Sequence, residues 1–292
     1  MSMFNRTTFA NNTALSDNDL MKLAPSLFAT EAHHSRSDRF TPVPTIDIVR
    51  GLQREGFEVF SAMQAKTRDA SKRDFTKHMI RLRNTSMRTF DNGDTFEIVL
   101  VNGNDGSSAY RMMSGFYRFV CANGLIVGTS LNEVRVRHSG DVMGDVIDGA
   151  YTVLNDAPLV MDRVDAMRAI SVSRDEALAF ATAAHQLRFP SASLPVDDAA
   201  FAPAPIDASR LLSARRMADV DERKNLWGVF NVVQENTVRG GQKGWVDRKD
   251  ANGRTQTRRA SVRGVGGIDG NRDLNRALWT LAEEMAKLKV AA

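Results

Sequence analysis

The residues best suited to chemistry in this chain lie late, between Arg239 and Arg263. The stretch reads RGGQKGWVDRKDANGRTQTRRASVR. Its cations are Arg239, Lys243, Arg248, Lys249, Arg254, Arg258, Arg259 and Arg263, opposed only by Asp247 and Asp250. Clustered guanidinium and ammonium groups neutralise phosphates and release their counterions. Trp245 sits among them and offers a flat π face on which a nucleobase can stack, or one that docks the stretch back on the body. The stretch is Gly-rich and short of apolar residues, so it cannot bury enough surface to offset its ordering entropy. The expected state is a mobile basic loop on a folded body, and the expected ligand is nucleic acid.

A second set of cations lies on expected strands: Arg81, Arg83, Arg111, Arg118, Arg135 and Arg137. If those strands pair, some of these side chains share one sheet face, which could hold a nucleic-acid backbone or simply be solvated. Arg81, Arg83, Arg135 and Arg137 join the basic stretch as candidate binding residues.

Enzyme signatures are missing. The sequence has no Walker A loop, no GxSxG, no HExxH and no CxxC pair. GVGGIDG at 264–270 follows no strand of a βαβ unit and reads as a hinge into the last helix. His33 and His34 are expected to be exposed loop residues, since no second ligand cluster accompanies them. Cys121, the single cysteine, is expected to be a small buried hydrophobe. Asp141, Asp145 and Asp148 could form a carboxylate cluster for metal-dependent cleavage, but read better as acids favoured near a helix N-terminus. The expectation is a non-enzyme with no cofactor and no metal.

These residues need elements to position them. Ser16 or Asp17 is expected to cap a short helix that Pro25 stops. Thr45 is expected to cap a helix with Ile46, Val49 and Leu52 on one face, ended by Gly56. Strands are expected over Phe57–Met63, over HMIRLRN, over Phe96–Val101, over part of 108–120 and over Leu131–His138. Asn102-Gly103, Asp105-Gly106 and Asn123-Gly124 read as turns too short for crossover helices, so the sheet should be antiparallel. Helices follow from Val142 through Val153 and past Pro158 to Ile170. Ser173 and Glu176 form a capping box for another, to about Leu187. Ser209–Met217, Glu222–Glu235 and Asn271–Lys289 are also expected to be helical. Trp279 lies beside the main apolar stripe of the last helix, and a second apolar face of this kind either marks a contact with another copy or folds into the chain's own core.

The fold class is α+β: an antiparallel β-rich core flanked by helices, with a C-terminal helical part and the mobile basic loop. The domain reading is an N-terminal arm and short helix at 1–40, a core at 41–189, a Pro/Ala linker at 190–208 and a helical C-terminal region at 209–292. The chain has 292 residues and a formal charge of only +4, so its basic character is local. No apolar run approaches membrane-spanning length, and the N-terminus lacks a signal-peptide pattern. With one cysteine, the expectation is a cytoplasmic protein that does not act at a membrane.

Several stretches look familiar. YRMMSGFYRFVCANGLIVG, the preceding KHMIRLRN, the early RFTPVPTIDIVRGLQREGFEVFSAMQ, and NLWGVFNVVQENTVRGG with DLNRALWTLAEE resemble the phage and plasmid family called domain of unknown function 932. The most specific element is R-x-V-C-x-N-G, here Arg118, Val120, Cys121, Asn123 and Gly124. The resemblance spans about Asp38 to Leu281. It implies a mobile-element setting and brings no catalytic residues. At the level of architecture the chain is similar to phage single-strand annealing proteins, which need a cationic groove, stacking surface and oligomerisation. The expected function is single-stranded DNA binding by a homo-oligomer, with strand annealing or recombination. The alternative is a protein-interaction module that inhibits a host defence or replication enzyme.

Overall fold

The structure is a computed structural model of the chain and describes residues 13–34, 43–87, 94–106, 108–118, 123–126, 133–190, 204–216, 224–249 and 253–291. At 123–125, 248 and 249 it describes the backbone only. Contacts group the chain into two units, Met1–Met161 and Asp162–Ala292. The boundary read from composition lies later, at the Pro/Ala linker. Residues 191–203 of that linker and Cys121 lie outside the described residues.

The first unit opens with helix α1 (Asp17–Leu23). Ser16 caps it: its hydroxyl accepts from the Asp19 N–H at 3.3 Å, and the Asp19 carboxylate accepts from the Ser16 N–H at 3.1 Å. A 3-10 turn, Pro25–Phe28, follows. Helix α2 (Thr45–Arg54) buries Ile46, Ile48, Val49 and Leu52. Thr45 is not its cap. It is the first helical residue, after an N-cap Pro44 that makes no side-chain bond. The Thr45 hydroxyl is spent inside the unit instead, 2.9 Å from His78 Nε2 and accepting from Asn102 Nδ2 at 3.0 Å.

Strands β1 (Phe57–Gln64), β2 (His78–Asn84), β3 (Thr95–Gly103) and β4 (Ser108–Arg118) form an antiparallel meander. Two short strands share the far edge of β4. β5 (Asn123–Ile126) pairs with Gly115–Arg118, and β6 (Val134–Val136) pairs with Tyr110–Met112. Asn123-Gly124 is therefore strand, not turn, because these residues pair with Arg118 and Tyr117. Residues 119–122, between β4 and β5, lie outside the described residues. Register sets Ile80, Leu100 and Met112 in one row and Leu82, Ile98 and Ser114 in the next. Helix α3 (Val142–Leu154) covers this face. A Cβ added to its Gly149 would lie 2.3 Å from Met112 Cε and 2.8 Å from Val134 Cγ1, so the glycine permits the close approach. Each large side chain buried here contributes about 1.5–3 kcal/mol. Asp141 caps α3 by accepting from the Gly144 N–H at 3.0 Å, the helix-terminal role its position suggested.

A polar chain crosses the inside of the first unit. Ser26 Oγ lies 2.9 Å from His78 Nδ1. His138 Nε2 donates to Asn102 Oδ1 at 2.9 Å, and Tyr110 donates to the Val43 carbonyl at 2.9 Å. Burial, above all, holds His78 down to about 4; His138 adds to this, while the Thr76 backbone and Asp105 oppose it. His33 is also inside, 3% exposed, with its ring 4.0 Å from that of His34 and edge-on to Phe75 at 5.6 Å. The expectation of an exposed His33 fails because Phe75 and the β3–β4 turn cover that loop: the His33 N–H donates to the Asn104 carbonyl at 3.1 Å.

Helix α4 (Ala157–Ala169) is followed in the second unit by α5 (Arg174–Arg188), α6 (Leu226–Arg239) and α7 (Ile268–Ala291). Ser173 and Glu176 form the expected capping box on α5. The Lys289 ammonium first, then the Ser173 N–H and hydroxyl, hold Glu176 down to about 2. Ala208–Leu212 is a 3-10 turn in place of the helix expected over Ser209–Met217. The chain leaves it so that Arg216 and Arg215 can reach Glu235 and Asn236 of α6, both at 2.7 Å. α6 is buried from Leu226 to Val238, with α5 and α7 packed on it. Its polar residues find partners: Gln234 donates to Asn275 at 2.6 Å, and Asn236 donates to the Leu211 carbonyl at 2.8 Å.

Trp279 is fully buried beside Phe230 and Trp227, at ring distances of 5.8 Å and 6.4 Å. It fills the core of its own unit, so the subunit contact read from it loses its basis. The stripe of α7 widened because α6 is apolar on more than one side and needs a broader cover. The fold class is α+β, with an antiparallel sheet and a C-terminal helix.

Candidate nucleic-acid interface

Residues 239–263 are not the loop that composition predicts. β7 (Lys243–Lys249) and β8 (Thr255–Ser261) pair in antiparallel register from Lys243↔Ser261 to Lys249↔Thr255. Apolar burial does not hold this hairpin; backbone bonds and anchors at its base do. Val262 is buried, and its N–H donates to the Gln242 carbonyl at 2.9 Å while its carbonyl accepts from Gly241 at 2.8 Å. Arg188 at the end of α5 donates to the Arg263 carbonyl at 2.8 Å, and Arg215 donates to the Gly240 carbonyl at 2.5 Å. Gly240 ends α6 at φ 63°, a conformation that favours glycine.

One side of the base is closed. The Trp245 N–H donates to the Pro205 carbonyl at 3.0 Å. A Cβ on Gly244 would sit 1.5 Å from that oxygen, so only glycine allows the contact. Because side chains alternate along a strand, Gly244 and Val246 share a face with their partners Ala260 and Arg258. The opposite face carries Lys243, Trp245 and Asp247, paired with Ser261, Arg259 and Thr257. This second face is open. Trp245 is 63% exposed, and Lys243, Asp247, Thr257, Arg259 and Ser261 are exposed with it. The Arg259 guanidinium lies 6.0 Å from the indole centroid.

The remaining expected residues fall into three groups. Arg254, Arg258 and Arg263 are exposed along β8 and its flanks, and Arg258 donates to Gln256 at 2.8 Å. Arg248 and Lys249 occupy the β7 positions opposite Gln256 and Thr255. Arg239 is turned back into the fold, bonded to buried Glu235 at 2.8 Å.

The sheet arginines do not form the open cationic face expected of them. Arg81 and Arg83 both bind Glu97, at 3.0 Å and 2.9 Å, and Glu97 is 1% exposed. The Arg83 guanidinium also lies between the Phe60 and Tyr117 rings, at 4.1 Å and 4.3 Å. Strand register brings Glu97 to them, and a buried carboxylate needs cations. Arg118 is 1% exposed, and Arg111 pairs with Glu133 at 3.6 Å. Arg135 and Arg137 are exposed. The hairpin thus keeps Lys243, Arg254, Arg258 and Arg259 exposed, while Arg81, Arg83 and Arg118 of the sheet are drawn into the fold.

Sequence reasoning missed the residues that orient the hairpin: Arg188, Arg215, Gly244 and Pro205. The GGQKG run that leads into β7 was an available signal, since glycines can mark close backbone approach.

Comparison with known proteins adds a lineage. The model of a family described as a domain of unknown function, DUF932, matches residues 32–279. The chain belongs to the DUF932 family. It is 42% identical over 271 residues to UPF0380 protein YfjQ of Escherichia coli (strain K12), covering 93% of this chain and 91% of that protein. It is 41% identical, with the same coverage, to UPF0380 protein YafZ of the same strain. No solved structure matches the chain. The DUF932 match includes the whole hairpin and the α6 and Trp279 positions that frame it.

Proposed function

We propose that this protein binds single-stranded DNA through the β7–β8 hairpin. One observation carries the reading: Trp245 stands exposed on a strand face that also presents Lys243 and Arg259. A stacking ring flanked by cations suits a single strand, whose bases are free to leave one another, better than a duplex, whose bases are already stacked. No described helix is long and apolar enough to cross a membrane. The proposal includes a cytoplasmic site of action and the phage or plasmid setting that the family resemblance implies. Annealing requires copies held side by side; with Trp279 inside its own core, the proposal is limited to binding.

Fluorescence anisotropy with a labelled oligonucleotide tests the reading. Binding is expected at about 50 mM salt, and its logarithm should fall with log salt by about 0.7 for each phosphate neutralised. No binding at low salt would remove the proposal. A stoichiometric protein captured from nuclease-treated host lysate, with no DNA binding, would replace it with the interaction-module reading.

A further inference from the structure

The open face of the hairpin holds one group that a simple phosphate clamp would not use. Asp247 is two residues from Trp245, on the same face and about 7 Å along the strand. Its register partner is Thr257, whose hydroxyl donates to Asp247 Oδ1 at 2.5 Å. That bond uses the hydroxyl's only hydrogen, so the pair can accept hydrogen bonds and donate none. A carboxylate has about four acceptor positions, and Thr257 fills one of them. A phosphate diester has no hydrogen to offer and is repelled by the carboxylate. Within a DNA strand, which has no 2′-hydroxyl, the part that can satisfy Asp247 is the N–H edge of a base.

We propose that Asp247 reads the base stacked on Trp245 and favours guanine. The inference rests on the hairpin being the DNA-binding element. Guanine presents N1–H and N2–H side by side, a pair that matches the two oxygens of one carboxylate. Cytosine and adenine offer one amino group beside a ring-nitrogen acceptor. Thymine offers a single N–H between two carbonyls, each of which repels the acceptor-only Asp247–Thr257 pair. The Thr257 bond holds the carboxylate in place, so less ordering is needed when a base arrives.

Three oligonucleotides test this by anisotropy: all thymine, thymine with isolated guanines, and the same strand with inosine in place of guanine. Wild type is expected to bind the guanine strand about tenfold more tightly than all thymine, the scale of one good bidentate contact. Inosine, which lacks the N2 amino group, should fall between them. Asp247→Asn keeps an acceptor for Thr257 and removes a negative charge from a cationic face. It should raise affinity for all thymine and bring the guanine-to-thymine ratio toward one. A purely electrostatic role would raise every affinity alike and leave the ratio unchanged, which overturns the proposal. Equal wild-type affinity for the three strands overturns it without any variant and leaves DNA binding standing. Absence of binding to all three strands overturns the DNA-binding reading itself and this inference with it.

Discussion

Trp245 is the residue on which the binding proposal turns. Its indole is exposed, so replacing it should cost the fold little. Trp245→Ala is expected to lower affinity for single strands by about 1–3 kcal/mol, the worth of one stacked base, with the thermal midpoint nearly unchanged. Titration beside a melting curve checks both halves. His78 makes the opposite kind of prediction. Its ring is fully buried and held at about 4, against an ordinary 6.5. The unfolded chain therefore takes up a proton more readily than the folded one. Stability is full above pH 6.5, falls as pH drops toward 4 and levels below it, by roughly 3 kcal/mol in all. Denaturant midpoints across that window should show the slope in wild type and lose most of it in His78→Gln. Both residues were visible in the sequence, but only Trp245 stood out. A lone Trp among cations is unusual composition, whereas His78 in HMIRLRN carries no mark of the Ser26 and Thr45 hydroxyls on its two nitrogens.

Among the elements, the hairpin is the one held from outside. Most of its side chains are exposed, so its order depends on the base contacts. Arg188→Ala removes the bonds to the Arg263 and Thr237 carbonyls. The loss is expected to be about 1.5–3 kcal/mol, as for other hydrogen bonds from a charged donor, and local to this region. Hydrogen exchange should show faster exchange across β7 and β8, with α6 and α7 still protected. Equal loosening of the helices would mean that the hairpin and the helical core open as one. The helices were the most legible elements. α5 could be placed within a residue or two because its capping box lies within four residues of sequence. The hairpin was not legible, because Gly244 and Pro205, which meet at its base, lie on either side of two helical segments.

For the molecule as a whole, the aromatic cluster of the second unit decides between core and interface. Trp227, Phe230 and Trp279 meet edge-on or stacked, and Trp279 has no exposed surface. Trp279→Ala is expected to cost about 3–5 kcal/mol of stability through the cavity it leaves. It should not weaken any self-association of the folded protein. Denaturant unfolding combined with native mass spectrometry separates the two effects. A normal midpoint with altered association would return Trp279 to an interface. The formal charge of +4 is small for a DNA-binding chain, yet what matters is its distribution. Glu97 and Glu235 take up Arg81, Arg83, Arg216 and Arg239 inside the fold. Lys243, Arg254, Arg258 and Arg259 of the hairpin remain at the surface.

The sequence by itself determined the α+β class, the antiparallel character of the sheet, most helix positions and the location of the basic segment. These features follow from periodicity, caps and turn residues, which act over a few neighbouring positions. Tertiary structure decided what each charge and each aromatic ring is for. Arg81 and Arg83 became internal ion pairs because strand register delivers Glu97. Trp279 became core because α6 needs cover on that side. The basic segment became a two-faced hairpin because Val262, Arg188 and Pro205 hold its base. Val262 apart, each deciding partner lies outside the segment it acts on, beyond the few neighbouring positions over which local pattern carries information.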